Sequence, residues 1–439
     1  MKAMTDKAKS YELNDKPPLA KTLILSLQHL ILFLSGAIVV PIVIANGMGF
    51  TGSETSMLVQ CTIFTAGLCT ILQAFGLGPV GNRLPIVMGP TFMFAVACIS
   101  IGQQYGYDAV IGATLIGGVA VGIIGRFCIN FIKKLFSKVV IASAIMTIGI
   151  CLFGLSAEYC AGSGLSNYGS SWQSLLVACF TIVLIVVLNN FGRGFTKMAS
   201  VLISMAVGTV LSVILGLADF SSIADARWVT LPKPFQFGIS FRAEAVAFIF
   251  ILYLINMIEF IGDTTNAAVI ATGEQPTKEH LGRGILCDGI GSSLSALFGA
   301  QPNISYSGNI GMMSLTKVKS RYVVGMAGIL LVVLGFFPKI STLLSLVPVP
   351  VVGAASLVTS GMIATSGIRI LIDSKPNEDE LFIVAISIAI GIGFNYSAGA
   401  LDNFPFFVSS IIKGVPGASV SAILLSLLLP QKGENSPKH

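Results

Sequence analysis

From residue 21 to residue 430 the chain repeats one pattern: an apolar run, a short cluster of Gly, Pro or charged residues, then another apolar run. A membrane-spanning helix needs roughly 20 apolar residues, and hydrocarbon offers no water to backbone N–H and C=O groups. Runs of this kind are therefore expected to be helices packed into one bundle. The punctuation predicts segments near 21–45, 54–77, 84–104, 109–126, 138–156, 172–190, 198–217, 243–262, 283–300, 309–316, 322–338, 343–368, 379–397 and 403–430. The fold class this implies is an all-α polytopic membrane protein with about fourteen transmembrane segments.

Positive charge tests the count independently, because inward-facing loops hold most Lys and Arg. With the N-terminus placed inside, only Arg227, Lys233, Arg242, Lys339 and Lys413 of the 26 Lys and Arg fall at or near the outer side. That asymmetry predicts an even number of crossings with both termini cytoplasmic, in a plasma membrane. The stretch from Ala218 to Phe241 is too polar to span and is expected to lie along the outer surface.

Two segments are interrupted at matching places, the third of each set of seven. In the third, Pro90 removes a backbone donor and biases Gly89 away from helix, so a half-helix should begin at Thr91. In the tenth, Pro302 to Ser307 reads as extended, and Gly308-Asn309-Ile310-Gly311 opens a second short helix. Paired breaks are the signature of an inverted-repeat carrier with its site at the midplane, where half-helix N-termini aim free N–H groups at one solute. A Gly-Pro pair can also simply kink a span.

Composition narrows the alternatives. With 54% hydrophobic and 10% charged residues, the chain is not a soluble enzyme. The net charge of +6 comes from short scattered clusters without a basic stripe, so no nucleic-acid partner is expected. The cysteines Cys61, Cys69, Cys98, Cys128, Cys151, Cys160, Cys179 and Cys287 mostly fall inside apolar runs and form no C-x-x-C pair. They read as small buried residues, with no metal site and no cofactor implied. The first 20 residues lack an apolar stretch before a cleavage site, so no cleaved signal peptide is expected.

Ionisable residues inside spans are costly and are functional candidates by default. Glu259 and Asp263 are four residues apart and share a helical face. A carboxylate there suits proton exchange and hydrogen bonding to an N–H-rich solute; the plain alternative is a side chain that pins one helix to another. Asp263 is expected at the inner end of its span. His29, beside Gln28, is the one histidine inside a span, as relay or as satisfied interhelical bond. Asp288 opens an apolar segment, as relay or clamp.

At these residues the chain resembles the nucleobase–ascorbate transporter family, in its bacterial xanthine, uric acid and uracil permease form. The family motif is Gln, Glu or Pro, then Asn, any residue, Gly, four residues, Thr, and a basic residue or Gly. Gly308-Asn309-Ile310-Gly311-Met312-Met313-Ser314-Leu315-Thr316-Lys317 matches it except at the first position. Gln28-His29 is similar to the family's first-helix pair, Leu84 to Phe92 to its third-helix break, Glu259 with Gly262-Asp263 to its eighth-helix E-x-x-G-D, and Asp288-Gly289 to its ninth-helix aspartate.

The resemblance implies two inverted seven-segment repeats, with segments three and ten discontinuous and preceded by short antiparallel strands. It implies a cytoplasmic N-tail over 1–20, a core domain of 21–134 and 243–338, a gate domain of 138–217 and 343–430, an interfacial loop over 218–242, a C-tail over 431–439, and a homodimer. Glu259, Phe92 and backbone at Thr91, Phe92 and Gly308 would contact a nucleobase, Asn309 would shape the pocket, and Gly311, Thr316 and Lys317 complete the motif. His29, Asp288, Asp263 and Gln28 would form the polar network that couples a proton, or a sodium ion, to the solute. Gly308 offers no side chain to the base. The wording Leu84 to Met88 is similar to the purine branch, so import of xanthine or uric acid by proton symport with alternating access is the reading favoured. Uracil, guanine and hypoxanthine, or an anion such as sulfate or a dicarboxylate, are the alternatives.

Overall fold

The computed structural model describes residues 11–135, 137–162, 171–397 and 399–429; the ends of both expected tails, 1–10 and 431–439, lie outside them. A long helix pair, α1 (Leu19–Ala37) and α2 (Val39–Met48), leads into α3 (Gly52–Phe75), the strand β1 (Met88–Pro90), α4 (Phe92–Tyr105), α5 (Tyr107–Leu135), α6 (Lys138–Cys160), α7 (Trp172–Phe191), the single turn α8 (Phe195–Met198), α9 (Ser200–Ile214) and the short α10 (Ser222–Asp225). There follow α11 (Ala243–Thr272), α12 (Lys278–Leu297), the strand β2 (Asn303–Ser305), α13 (Ser307–Thr316), α14 (Arg321–Gly335), α15 (Pro338–Ser345), α16 (Val349–Ser374), α17 (Glu378–Tyr396), α18 (Phe406–Ile412) and α19 (Gly414–Leu428).

Helix overlaps every segment expected from the hydropathy pattern. Among the described residues eight helical stretches are long and apolar enough to cross a bilayer alone, and α14 with α15 forms a further pair bent by 89°. The chain is thus a multi-pass membrane protein. Between α9 and α11 no helix is long enough to span. That stretch is tied down instead: Thr230 N–H donates to Phe336 O (3.0 Å), Phe235 N–H donates to Leu297 O (2.8 Å), and the Lys339 ammonium lies over the Trp228 ring at 4.3 Å.

Two expectations need correction. The span expected to end at residue 262 continues to Thr272, because no helix breaker intervenes before Gly273, whose φ of 79° closes the helix in the left-handed conformation. Asp263 therefore sits mid-helix and not at an inner end. Cys128 and Cys179 are exposed, while the other six cysteines are buried.

Helices approach closely where both carry small residues, as expected when lipid supplies no hydrophobic drive between helices. A Cβ on Gly67 of α3 would lie 2.6 Å from the backbone of α14, and one on Gly328 of α14 would lie 2.9 Å from Gly67 O. At the α5–α12 crossing a Cβ on Gly118 would lie 2.7 Å from Gly289 O, and one on Gly289 would meet the backbone of Gly118 and Gly122. Helices α6, α7, α9, α16, α17 and α19 make a second packed group beside that of α1, α3, α5, α11, α12 and α14.

The two strands pair antiparallel in register Met88↔Ser305, Gly89↔Ile304 and Pro90↔Asn303, all six residues buried. Each is held by a hydroxyl from the helix before it. Met88 N–H donates to Thr70 Oγ1 of α3 (2.9 Å), and Asn303 N–H donates to Ser292 Oγ of α12 (3.1 Å) while that hydroxyl donates to Asn303 O (2.8 Å).

Replacing Gly289 with Val should overpack the α5–α12 crossing and destabilise the protein by about 1–3 kcal/mol or more. The melting temperature in detergent should fall, whereas Gly393→Val, at a position with open space around it, should leave it nearly unchanged.

Candidate functional site

Pairing of β1 with β2 brings the starts of α4 and α13 together in the middle of the bundle. Helix α4 begins at Phe92 with Thr91 as its N-cap, the Thr91 hydroxyl accepting from Met93 N–H at 3.3 Å. Helix α13 begins one residue earlier than expected, at Ser307, with Tyr306 as N-cap and no side-chain capping bond. Asn309 N–H donates to Tyr306 O (3.2 Å), whereas the N–H groups of Ser307 and Gly308 have no partner among the described residues, which favours an electronegative solute atom in front of them.

Asp263 fastens the α13 break. It is buried, and its Oδ2 accepts from Ser305 Oγ (2.7 Å) and Ser307 Oγ (2.8 Å), so one carboxylate holds the end of β2 and the first residue of α13. Glu259 lies four residues earlier on the same helix, about 6 Å of rise away. Unlike Asp263 it is only half-buried, and among the described residues its carboxylate has no hydrogen-bond partner. Gly262 and Asn266 on α11 and Ser307, Gly308, Gly311 and Ser314 on α13 are all exposed. The Ser307–Asp263 bond brings these two faces of small and polar residues beside one another, with Glu259 one turn before Asp263 on α11.

The other expected polar residues separate into two further clusters. Asn309 is fully buried and its Nδ2 donates to His29 O (3.2 Å), with His29 Nδ1 at 3.3 Å; this ties α13 to α1. If Nδ1 accepts there, the ring proton resides on Nε2. Asp288 is buried in α12 and accepts from Asn256 Nδ2 of α11 at 2.8 Å, while Asp288 Oδ1 and Asn256 Oδ1 have no partner. No side-chain hydrogen bond among the described residues joins the Asp288, His29 and Asp263 clusters; the backbone N–H of Ser305, whose hydroxyl serves Asp263, faces Asp288. Gln28 is half-buried beside His29 without a recorded bond.

The motif's end has a local role. Thr316 Oγ1 donates to Met312 O (2.9 Å), and Lys317 closes α13 with φ 57°. Val318 then bridges to Tyr11, so the N-terminal segment is laid against this helix end.

Three contributors were missed in the sequence. Thr70 and Ser292 anchor the strands, and Tyr306 occupies space beside Gly308. A Cβ on Gly308 would lie 3.0 Å from the Tyr306 ring, a Cβ on Gly36 would overlap the Tyr306 hydroxyl, and Phe33 meets the ring edge-on at 5.8 Å between centroids. The tyrosine ring thus fills part of the volume that a larger residue at 308 would take. The pairing of two glycines, 36 and 308, with one tyrosine is the only signal, and it appears only once the halves are folded together.

A second cavity of about 390 Å³ lies across the bundle between α4 and α11 on one side and α17 to α19 on the other. Met93, Leu252 and Val415 line it together with Asp402 and Lys413, and it reaches the residue next to Phe92, which is itself buried.

Residues 20–398 match the permease family. The chain is 34% identical to the uric acid permease PucJ of Bacillus subtilis (93% of this chain, 92% of the relative). It is 32% identical to the xanthine permease of Bacillus subtilis (93% of each) and 29% identical to the xanthine permease XanP of Escherichia coli K12 (96% and 94%). Among solved structures it is similar to the transmembrane domain of the cyanobacterial bicarbonate transporter BicA, with TM-score 0.60, 14% identity and coverage of 96% and 99%. The inward-facing murine anion transporter Slc26a9 gives TM-score 0.65 at 13% identity, covering 94% of this chain and 69% of that one. At such identities these structures speak for the fold alone.

Asp263→Ala should leave the hydroxyls of Ser305 and Ser307 without their acceptor, a loss of about 1–3 kcal/mol for the buried group. The expected outcome is a lower melting temperature and lost solute binding, with Asp263→Asn milder because its amide oxygen can still accept from one hydroxyl. Equal stability of Asp263→Ala and wild type would show that the carboxylate does not hold the break.

Proposed function

The chain belongs to the permease family that residues 20–398 match, the nucleobase–ascorbate transporters, and on that footing we propose that it imports a purine nucleobase, xanthine or uric acid, by proton symport. The observation that carries this reading is Glu259: a half-buried carboxylate without a hydrogen-bond partner among the described residues, one turn from the break that Asp263 fastens, beside small residues of α11 and α13. A carboxylate accepts from ring N–H groups, and the opening N–H groups of α13 and α4 donate to ring carbonyl oxygens. A planar solute bearing both kinds of edge satisfies both, and the oxopurines do. The relatives named for xanthine and uric acid favour the same class.

Binding would involve Glu259, backbone at Thr91, Phe92 and Gly308, and the ring of Tyr306, with Asn309 holding α13 on His29. Proton coupling would use Glu259 itself, since of Glu259, Asp263, Asp288 and His29 it alone is only half-buried and has no hydrogen-bond partner among the described residues. Asp288 and His29 would set the fit between helices.

The fold reading accompanying this is fourteen segments in two inverted repeats. Its support is the matched use of Thr70 on β1 and Ser292 on β2, and of glycine contacts at α3–α14 and α5–α12. The group holding both strands would be the core, and the group of α6, α7, α9, α16, α17 and α19 the gate. Alternating access would move one against the other, and the cavity at Met93 lies between the two groups. Both termini would be cytoplasmic in the plasma membrane, with dimer contacts made through the gate.

Uptake of radiolabelled xanthine or urate by cells expressing the chain is the direct test. Glu259→Gln should abolish it with protein still present in the membrane, a loss of roughly 100-fold or more for a lost charge-assisted hydrogen bond and a lost proton carrier. Competition by unlabelled uracil, guanine and hypoxanthine then ranks the bases. No uptake of any of the five bases would sink the proposal.

A further inference from the structure

At the end of the bundle that carries the N-terminal segment lies a cavity of about 390 Å³ that the transport reading does not use. It is enclosed by residues Leu13 and Asn14, the lead-in to β1, the connection from α11 to α12, and the start of α14. Three arginines, Arg83, Arg283 and Arg321, line it, against one carboxylate, Glu274. A volume of this size suits a small organic ligand and exceeds what one inorganic ion needs.

The three guanidinium groups are not equivalent. Arg283 builds the wall: its Nη2 donates to Gly78 O at 2.6 Å, its Nε to Gly81 O at 3.3 Å, and Nη1 lies 3.8 Å from Glu279. Arg83 and Arg321 have no ion pair among the described residues, although carboxylates are available nearby at Glu274 and Glu279. Arg321 rests its guanidinium on the Tyr322 ring at 5.2 Å, and its Nε is buried without any hydrogen-bond partner. A buried, charged donor left empty calls for an acceptor that the chain itself does not provide.

Arg83 adds an independent observation. Its φ is 61°, a conformation that a long side chain rarely adopts, and its N–H is fixed there by Gln73 O at 3.0 Å. Glycine would sit there without strain. Strained residues concentrate where a ligand is held, and this strain delivers a guanidinium to the cavity. The N-terminus of the 20-residue α12 opens into the same space through Thr277 and His280, adding its positive end.

We propose that this cavity is a binding site for a phosphate monoester, with Arg83 and Arg321 as the paired phosphate ligands and Arg283 as the residue that shapes the loop. Guanidinium forks match phosphate oxygens two by two, which suits two unpaired arginines better than it suits a diffuse headgroup layer. The bound group would bridge Leu84, which leads into β1, and Ala268 and Thr272 on α11. Those elements carry the midplane strand and Glu259, so occupancy would restrain the two sides of the transport site against each other. The site does not depend on which solute is carried.

Two sources of the phosphate monoester are separable by experiment. The full-length protein in nanodiscs of phosphatidylcholine is titrated with a purine nucleoside monophosphate and with inorganic phosphate, and a parallel sample carries phosphatidic acid in the bilayer. A rise in melting temperature that saturates with the nucleotide supports a soluble ligand; a rise only with phosphatidic acid supports a lipid ligand. Arg83→Gly and Arg321→Gln should each weaken the response at least tenfold. Arg83→Gly should nonetheless melt no lower than wild type without ligand, because it relieves the backbone. Arg369→Gln, outside the cavity, should behave as wild type. Absence of any saturable response, or a response in Arg83→Gly and Arg321→Gln equal to that of wild type, overturns the proposal.

Discussion

Everything at the centre of this protein depends on six residues of antiparallel strand. Met88 to Pro90 and Asn303 to Ser305 stop two segments from being continuous helices, at a depth where an unpaired N–H or C=O has no water to turn to. Pairing the strands with each other satisfies part of their backbone. Thr70 and Ser292 satisfy more, each with one hydroxyl that meets the first residue of a strand. Without that arrangement the breaks would close into helix, and no helix would begin mid-bundle. With it, two helices start beside a shared point, and their N–H groups become available to a solute.

Close packing keeps that point in place. The strands are short and offer few side-chain contacts, so the flanking helices must fix their position. They do so through glycine-on-glycine crossings, Gly67 with Gly328 and Gly118 with Gly289, where backbone approaches backbone. A crossing built from large side chains could adjust by changing rotamers. A crossing of bare backbones has one close-packed position, and Asp263 then ties the break of α13 to α11 within that frame.

The breaks themselves were legible in the sequence because proline and glycine act locally. Pro90 and Pro302 signal a missing donor wherever they fold, and both half-helices begin within one residue of the expected position. Glu259 and Asp288 were legible because a charge in a long apolar run is conspicuous. What each carboxylate touches was not. Asp263 and Glu259 are alike in sequence, four residues apart on one face, yet one is consumed by Ser305 and Ser307 and the other is left open. Their difference arises from a strand some forty residues later. Tyr306 was invisible for the same reason: its ring is placed by Gly36 and Phe33, from the opposite end of the chain. The left-handed backbone of Arg83 has no sequence signal, since it reflects how a loop closes over α3.

On the proposed reading, the same frame would let one architecture serve solutes of different charge. Solved neighbours of this fold are named as carriers of bicarbonate and of anions, and two converging helix N-termini favour negative charge. In this chain Glu259 adds a carboxylate to that positive field. An ionised carboxylate about 4 Å from an anionic solute would repel it by about 4 kcal/mol at an effective dielectric near 20. On the proposed reading an oxopurine in its neutral form would meet no such opposition, because its carbonyl oxygens could face the helix ends while its N–H groups face Glu259. On that reading the field of the helix ends would be general, and the side chain facing it would decide which chemistry can enter.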